Sequence, residues 1–317
     1  MIIKAGIKEF LWMTAGAIVF LVITLVVLHF QAGPGPAGRL VFKAKRVDLV
    51  ARMRLNLTSD SEAEKSAVMA VTDKDSKIFA GQARAATDEV ERDRMELGNL
   101  LASGGTRAEK DIFSRFSGAF IDLKHIDNEL LTLAVKNTNI KAYSLAFGPA
   151  ADALKEMDTC LSMLVEKSAG SPEAGNAALL AFGAQAAALR IQTLLAPHIA
   201  EENGKKMDEL EALMARHDKD VRKDLAGLAM LPKFGGNIDL GKAASDYDRF
   251  SNIRARILAL SRENTNVRSL SMSLGEKLKV FFLCRDALSA LQQAVQDEPV
   301  AGVNYGTESN PRSLKPY

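Results

Sequence analysis

The chain is poor in cysteine and aromatic residues and has no surplus of either charge. Two Cys in 317 residues exclude a disulfide-built scaffold and a cysteine-rich metal centre. Aromatics make up 6% of the chain and there are nine prolines. With Ala, Leu and charged residues abundant, that balance favours helix over strand. Lys and Arg total 41 against 39 Asp and Glu, a net charge of +2, so the large basic excess of a nucleic-acid protein is missing. A charged fraction of 25% with 47% hydrophobic residues excludes wholesale disorder, and the length fits one or two domains. No Gly-rich phosphate loop, no nucleophile beside a placed base and no carboxylate dyad is present. His29, His125, His198 and His217 are scattered and form neither a His-x-x-x-His pair nor paired Glu-x-x-His motifs. His217 reads as a core residue. The expectation is therefore no enzyme, no cofactor and no metal.

What the chain does have begins near its amino terminus. Phe10 to Phe30 carries no formal charge over about 21 residues, roughly 31 Å of helix and enough to span a bilayer core. Trp12 and His29 sit near its ends, as interfacial residues do. A cleaved signal peptide is the competing reading, but its apolar stretch would be shorter and end in a small-x-small site. Residues 1–31 are thus read as a tail and transmembrane anchor. Residues 32–39, with Gly33-Pro34-Gly35-Pro36 at their centre, are read as a short joint. Lys4 and Lys8 precede the span, and Arg39, Lys43, Lys45 and Arg46 follow it, so charge alone does not fix the orientation.

From residue 40 to 297 the apolar residues recur at helical spacing and no alternating strand pattern appears. Turn signals at Ser103-Gly104-Gly105, Ala169-Gly170-Ser171-Pro172 and Pro232 to Gly236 divide this stretch into four long helices, about 40–102, 106–168, 173–231 and 239–297. Pro149 and Pro197 predict kinks. The second and fourth helices repeat. Lys136-Asn137-Thr138-Asn139-Ile140-Lys141 matches Glu263-Asn264-Thr265-Asn266-Val267-Arg268, and Ser144 and Gly148 match Ser271 and Gly275. The stripe Leu123, Ile126, Leu130, Leu133, Asn137, Ile140, Ser144, Phe147 has its counterpart in Phe250, Ile253, Ile257, Leu260, Asn264, Val267, Ser271, Leu274. Such spacing is a bundle seam. Charged residues are assigned to the opposite, solvated faces. The predicted fold is all-α: an up-down-up-down four-helix bundle of duplicated hairpins, 40–168 and 173–297. It sits behind the membrane helix and ahead of a disordered polar tail, 298–317.

Asn137 and Asn264 stand on the seam where Leu or Ile would bury more surface, so each needs a buried polar partner. One reading is a polar layer of Asn137, Thr138, Asn139, Ser144, Asn264, Thr265, Asn266 and Ser271 that fixes register. The other is a polar pocket for a ligand or water made by the same residues. Cys160 and Cys284, on the second and fourth helices, are either buried free thiols or a disulfide in an oxidising compartment. Arg52 and Arg54 are read as a solvated helix face.

The segments Glu64-Lys65-Ser66-Ala67-Val68, Asp75-Ser76, Phe79-Ala80, Val90-Glu91-Arg92 and Glu96-Leu97, then Ile126-Asp127-Asn128-Glu129-Leu130-Leu131 with Asn137-Thr138-Asn139, resemble the four-helix-bundle sensor domain of bacterial methyl-accepting chemotaxis receptors. The resemblance covers about residues 40–297 and rests on helical patterning. A stacked two-bundle version of such sensors is the architectural alternative. The resemblance implies a periplasm-facing domain on the cytoplasmic membrane, a homodimer or a complex with a membrane or periplasmic partner protein, a small-molecule ligand and no nucleic acid. In that family arginines on the first helix often meet anionic ligands. A second membrane helix and a cytoplasmic signalling region are not found after the bundle, so the expected function is sensing without an output module of its own. The alternative is a membrane-tethered scaffold or spacer.

Overall fold

The computed structural model describes residues 35–232 and 234–299. The predicted membrane span at 10–30 and the tail beyond 299 lie outside the described residues. Among those described the chain is all-helical, with no strand.

Among the described residues ten α-helices succeed one another: α1 Pro36–Met69, α2 Asp73–Gly104, α3 Arg107–Ala134, α4 Thr138–Phe147, α5 Pro149–Ser168, α6 Ala174–Ala200, α7 Gly204–Met230, α8 Ile238–Glu263, α9 Thr265–Met272 and, after a π-helical turn at Ser273–Lys277, α10 Leu278–Asp297. The expected turns near 104, 170 and 235 are present. The expectation of four long helices, kinked only at Pro149 and Pro197, is corrected, because each is broken near its middle.

The breaks are of two kinds. At 70–72 and 201–203 the chain reverses. Thr87 Oγ1 meets Asp60 Oδ1 at 3.0 Å across the first hairpin, and His198 Nε2 meets Glu211 Oε1 at 2.9 Å across the second. So α1–α2 and α6–α7 are antiparallel hairpins, not single rods. Both turns are capped: Thr72 Oγ1 accepts from the Asp75 amide at 3.0 Å, and Asn203 Oδ1 accepts from Lys205 and Lys206 amides at 3.0 and 3.3 Å. Such caps satisfy amides that a helix start leaves open. At Asn137 and Asn264 the chain continues onward but passes through the left-handed region, with φ of 52° and 51°. Asparagine tolerates that conformation better than other non-glycine residues. Pro149 stands at the start of α5, as a kink there predicts, whereas α6 runs through Pro197 to residue 200.

The left-handed residues also break the predicted seam. Upstream it holds: Leu123, Ile126, Leu130 and Leu133 are buried. Past Asn137 the core is taken by Ala142, Ala146, Ala150 and Ala153, while Ser144 and Phe147 are exposed. Past Asn264 it is taken by Thr265, Ser269, Ser273 and Lys277, while Ser271 and Leu274 are exposed.

The fold divides into two compact units. One comprises residues up to Arg54, Glu91–Arg115 and those from Asp286 onward. It holds a small apolar core, including Leu49, Met53, Leu97, Leu101, Leu288 and Leu291. There the buried Arg46 reaches both oxygens of Glu109 at 2.8 Å and also meets Glu298. Lys43 Nζ donates to the Gln296 and Glu298 carbonyls at 2.6 and 2.7 Å, neutralising the open end of α10. Arg52 pairs with Asp93 and Arg54 with Gln292.

The other unit comprises Leu55–Val90 and Phe116–Arg285. It contains two separate apolar cores. The first gathers Ala67 and Val68 of α1, Ala80 and Ala83 of α2, and Leu130, Leu131 and Ala134 of α3, with Met272 of α9 against them. The second gathers residues of α4 to α8 around Ala181, Ala184, Ile191, Tyr247 and Phe250. Only two stretches of chain pass from the first set to the second, the α3–α4 and α8–α9 junctions. Within the second set, α6 (Ala174–Ala200) is the one helix among the described residues long and apolar enough to cross a membrane by length and composition. It packs most extensively on α7.

Candidate functional site

The two Asn-Thr-Asn segments meet. The Thr138 amide donates to Thr265 Oγ1 at 3.2 Å, and the Thr265 amide donates to Thr138 Oγ1 at 3.1 Å. The Asn139 and Asn266 amides donate to each other's Oδ1 at 3.2 and 3.1 Å. Asn139 Nδ2 reaches Asn264 Oδ1 at 2.7 Å, and Asn266 Nδ2 reaches Asn137 Oδ1 at 3.1 Å. These are reciprocal bonds between two copies of one motif. They occupy amides that a broken helix would otherwise leave without partners. The clasp also holds both hairpin turns. Asn137 Nδ2 donates to Asp73 Oδ1 at 3.1 Å and Ser76 Oγ at 2.8 Å. Asn139 Nδ2 donates to the Ile199 carbonyl at 2.7 Å, and Asn264 Nδ2 to that of Glu201 at 2.8 Å. Six of the eight residues predicted for this layer therefore come together. Ser144 and Ser271 do not, because the left-handed turn rotates them to the outside.

Cys160 and Cys284 are both buried free thiols. The disulfide alternative is corrected: Cys160 belongs to the core of α4–α8, near Asp246 and Lys242, whereas Cys284 lies near Asp122, Asp127 and Asp60. Burial pushes the Cys284 thiol up to about 12, helped by those three carboxyls. His217 is part-exposed, with Nδ1 3.5 Å from Asp220. Among the described residues the fully buried histidine is His198, whose Nδ1 meets Ser261 Oγ at 2.8 Å.

The chemically most unusual place was not legible as a site. Lys277, at the end of the π-helical turn, is 2% exposed, as is Asp127; Asp60 and Glu64 are 1% exposed. The Lys277 ammonium stands 3.1 Å from Asp60 Oδ2, 3.1 Å from Glu64 Oε2 and 2.6 Å from Asp127 Oδ1, the last contact lying off hydrogen-bond geometry. Thr87 Oγ1 completes the shell on Asp60. Three carboxyl groups thus surround one ammonium, and Glu64 Oε1 and Asp127 Oδ2 are buried with no hydrogen-bond partner. Burial, then repulsion from Asp60, pushes Asp127 up to about 8. Burial works to lower Lys277, but the attraction of Asp60, Asp127 and Glu64 outweighs it and holds the ammonium well above the ordinary lysine range. A cleft of about 240 Å3 lies against the cluster, lined by Arg84, Thr87, Asp88, Lys124, Asp127, Asn128 and Leu131.

The repeat shows how local this chemistry is. A spacing of 127 residues carries Asn137 onto Asn264. It also carries Ala142, Ala146 and Ala150 onto Ser269, Ser273 and Lys277. All six are buried. The same inward positions are alanine in one copy and serine, serine and lysine in the other. The π-helical turn contains Gly275, the counterpart of Gly148 where α4 ends and α5 begins. Comparing the inward residues of the two copies was the sequence signal available for this site.

A second polar group lies among α7 and α8. Asp218 Oδ1 accepts from Tyr247 Oη at 2.7 Å and from Arg254 at 3.0 Å, and Oδ2 accepts from Arg222 at 3.1 Å. Burial opposes the charge on Asp218, but bonds from Tyr247 and the two arginines hold it below the usual carboxylate range. Every oxygen of Asp218 is satisfied there, unlike those at the Lys277 cluster. A cleft of about 360 Å3 lies between α5 and α6 and is lined by Leu154, Lys155, Met157, Asp158, Gln185 and Leu189 among others. Among the described residues no group of three or more His, Cys, Asp or Glu is arranged to hold a metal ion.

No protein-family model matches the chain, and no curated protein sequence matches it.

Proposed function

We propose that this chain is a membrane-anchored sensory helical bundle that binds a small ligand and hands the signal to a partner protein. In this reading Phe10 to Phe30 is the anchor, the helical region faces the periplasm, and no chemistry is catalysed. Within the larger unit α4–α5, α6, α7 and α8 are read as a four-helix bundle around one apolar core. The resemblance to chemoreceptor sensor domains supports the reading, as do the two hairpins.

The observation that carries the sensing role is the Lys277 cluster. A scaffold needs an apolar core. Burying three carboxyls and an ammonium is costly unless every lone pair is met, and here three oxygens, Glu64 Oε1 and both of Asp127, make no hydrogen bond. Buried ionisable groups with displaced proton affinity beside a cleft mark binding sites more than structural ones. A thermal-shift screen of the full-length protein against metabolites tests the proposal. Stabilisation by one chemical class is expected, and no response across charged, zwitterionic and neutral classes overturns it.

A scaffold role has its own support in α6. Leu179, Phe182 and Leu189 are 71%, 59% and 54% exposed on that helix, an apolar stripe suited to a protein partner. Crosslinking from α6 in cells, followed by mass spectrometry, separates the two: a scaffold yields one constant partner whatever metabolites are supplied.

A further inference from the structure

Helix α6 buries one face and shows a second apolar face that the described chain leaves uncovered. Inward it sets Ala181, Ala184, Ile191 and Leu195 into the core. Outward, Leu179, Phe182 and Leu189 are exposed, with Ala186 and Thr193 on the same line. The steps along 179, 182, 186, 189 and 193 alternate between three and four residues. That is the a and d spacing of a coiled-coil seam, on the outside of a helix whose opposite face already has its core. α6 holds no Asp, Glu or Lys, and its one Arg is Arg190, whereas a solvated helix face is rich in charge. We propose that this face is an interface between two copies of the chain, their α6 helices side by side and parallel about a two-fold axis. This goes beyond the sensing role and stands apart from any ligand.

The stripe and its shoulders select a second copy. In an isologous contact each a and d residue meets its own counterpart, so the seam is apolar on both sides with no charge inside it. The shoulders supply complementary charges. In a parallel pair a g residue faces the e residue of the next heptad on the other helix, which sets Gln185 of one copy beside Arg190 of the other. Gln185 Nε2 donates to the Asp158 carbonyl of α5 at 3.4 Å, so Arg190 arrives at the exposed Asp158 of the second copy, once on each side of the axis. Within one chain neither of these two side chains has an ion-pair partner among the described residues. Lys155, a turn away on α5, is a like charge nearby, so the pair directs orientation more than it adds affinity. In an antiparallel pair e faces e and g faces g, and Arg190 does not reach the α5 shoulder. The parallel sense also agrees with the proposed anchor, because two chains held in one bilayer are related by an axis normal to it.

The area is sufficient. α6 has 27 residues, about 40 Å of helix. A strip one helix wide covers roughly 400 Å2, and adding the α5 shoulder brings it to roughly 800 Å2 per copy, that of a standard interface. The cleft lined by Leu154, Met157 and Leu189 among others lies in that shoulder, where the aliphatic stem of the second copy's Arg190 covers it.

The experiment is sedimentation velocity and oxidative crosslinking of the full-length protein in detergent. Wild type should be a dimer at micromolar concentration. F182E should raise the dissociation constant at least tenfold. R190D and D158R should each raise it severalfold, and the two together should recover most of the loss. Copper-phenanthroline should link A186C chains to each other and T193C chains to each other. K219C, on the exposed side of α7, should stay unlinked, as should wild type, whose Cys160 and Cys284 are buried. All the substituted side chains are exposed, and circular dichroism confirms that the variants are folded. A monomer at every concentration, a dimer that F182E leaves unchanged, or α6 crosslinking in cells only to a different protein overturns the proposal. So does linking at one of positions 186 and 193 but not the other, which antiparallel copies would give. The sensing role is judged separately: a monomer stabilised by a metabolite loses the interface and keeps the sensor.

Discussion

Replacing Lys277 with methionine tests whether the buried charges are coupled as the distances require. Methionine keeps most of the aliphatic stem and removes the ammonium. Asp60 and Glu64 then face each other at 1% exposure without their cation. They either stay ionised and unpaired or take up protons, and for an ordinary carboxyl protonation at pH 7 costs about 4 kcal/mol at 1.36 kcal/mol per unit. Loss of one partner of a buried ion pair costs about 3–5 kcal/mol in general, and the two routes agree. With a urea slope of about 3 kcal/mol/M, the midpoint falls by about 1–1.7 M. Urea denaturation followed by circular dichroism at pH 7 gives the answer. A midpoint shift below about 0.3 M would refute the coupling.

The Asp127→Asn variant should behave oppositely. Because folding raises this acid, the native state holds more protons than the unfolded chain between about pH 4 and 8, so wild-type stability from this group is fullest at low pH and declines as pH rises through that window. Asn mimics the protonated acid, so the variant should match wild type within about 1 kcal/mol at pH 6, exceed it above pH 8, and show a flatter pH profile of melting temperature. Asn137→Leu with Asn264→Leu should cost about 3–5 kcal/mol, since each removes several buried bonds and places a residue intolerant of φ near 50° at a left-handed position. A gain in melting temperature would instead show that the clasp is dispensable. Cys284 should resist alkylation by iodoacetamide in the native protein at pH 8, because burial keeps its thiol protonated. Modification within minutes, read by mass, would contradict its burial.

Helix content, three of the interhelix turns and the polar seam positions at Asn137 and Asn264 were legible because they have local causes: propensity, Gly and Pro, and period. The reversals at 70–72 and 201–203 were hidden because neither contains a proline and the apolar spacing continues across them. Their only marks were Thr72 followed by Asp75, a capping pattern, and Asn203 before Gly204. The slip of the seam after each left-handed asparagine was invisible to a constant-period reading, which carried Ser144 and Ser271 inward. The Lys277 cluster was missed for a different reason. Asp60, Glu64 and Asp127 sit at spacings that also suit a solvated face, and only the tertiary fold, with its π-helical turn, brings Lys277 to them, 217 residues along the chain from Asp60.

The narrow passage between the two cores of the larger unit has a consequence for how such a chain can change. Only the peptides around Asn137 and Asn264 carry backbone from one core to the other, and they grip each other more than they grip either interior. Substitutions inside the alanine-lined half should therefore add independently to those inside the lysine-lined half.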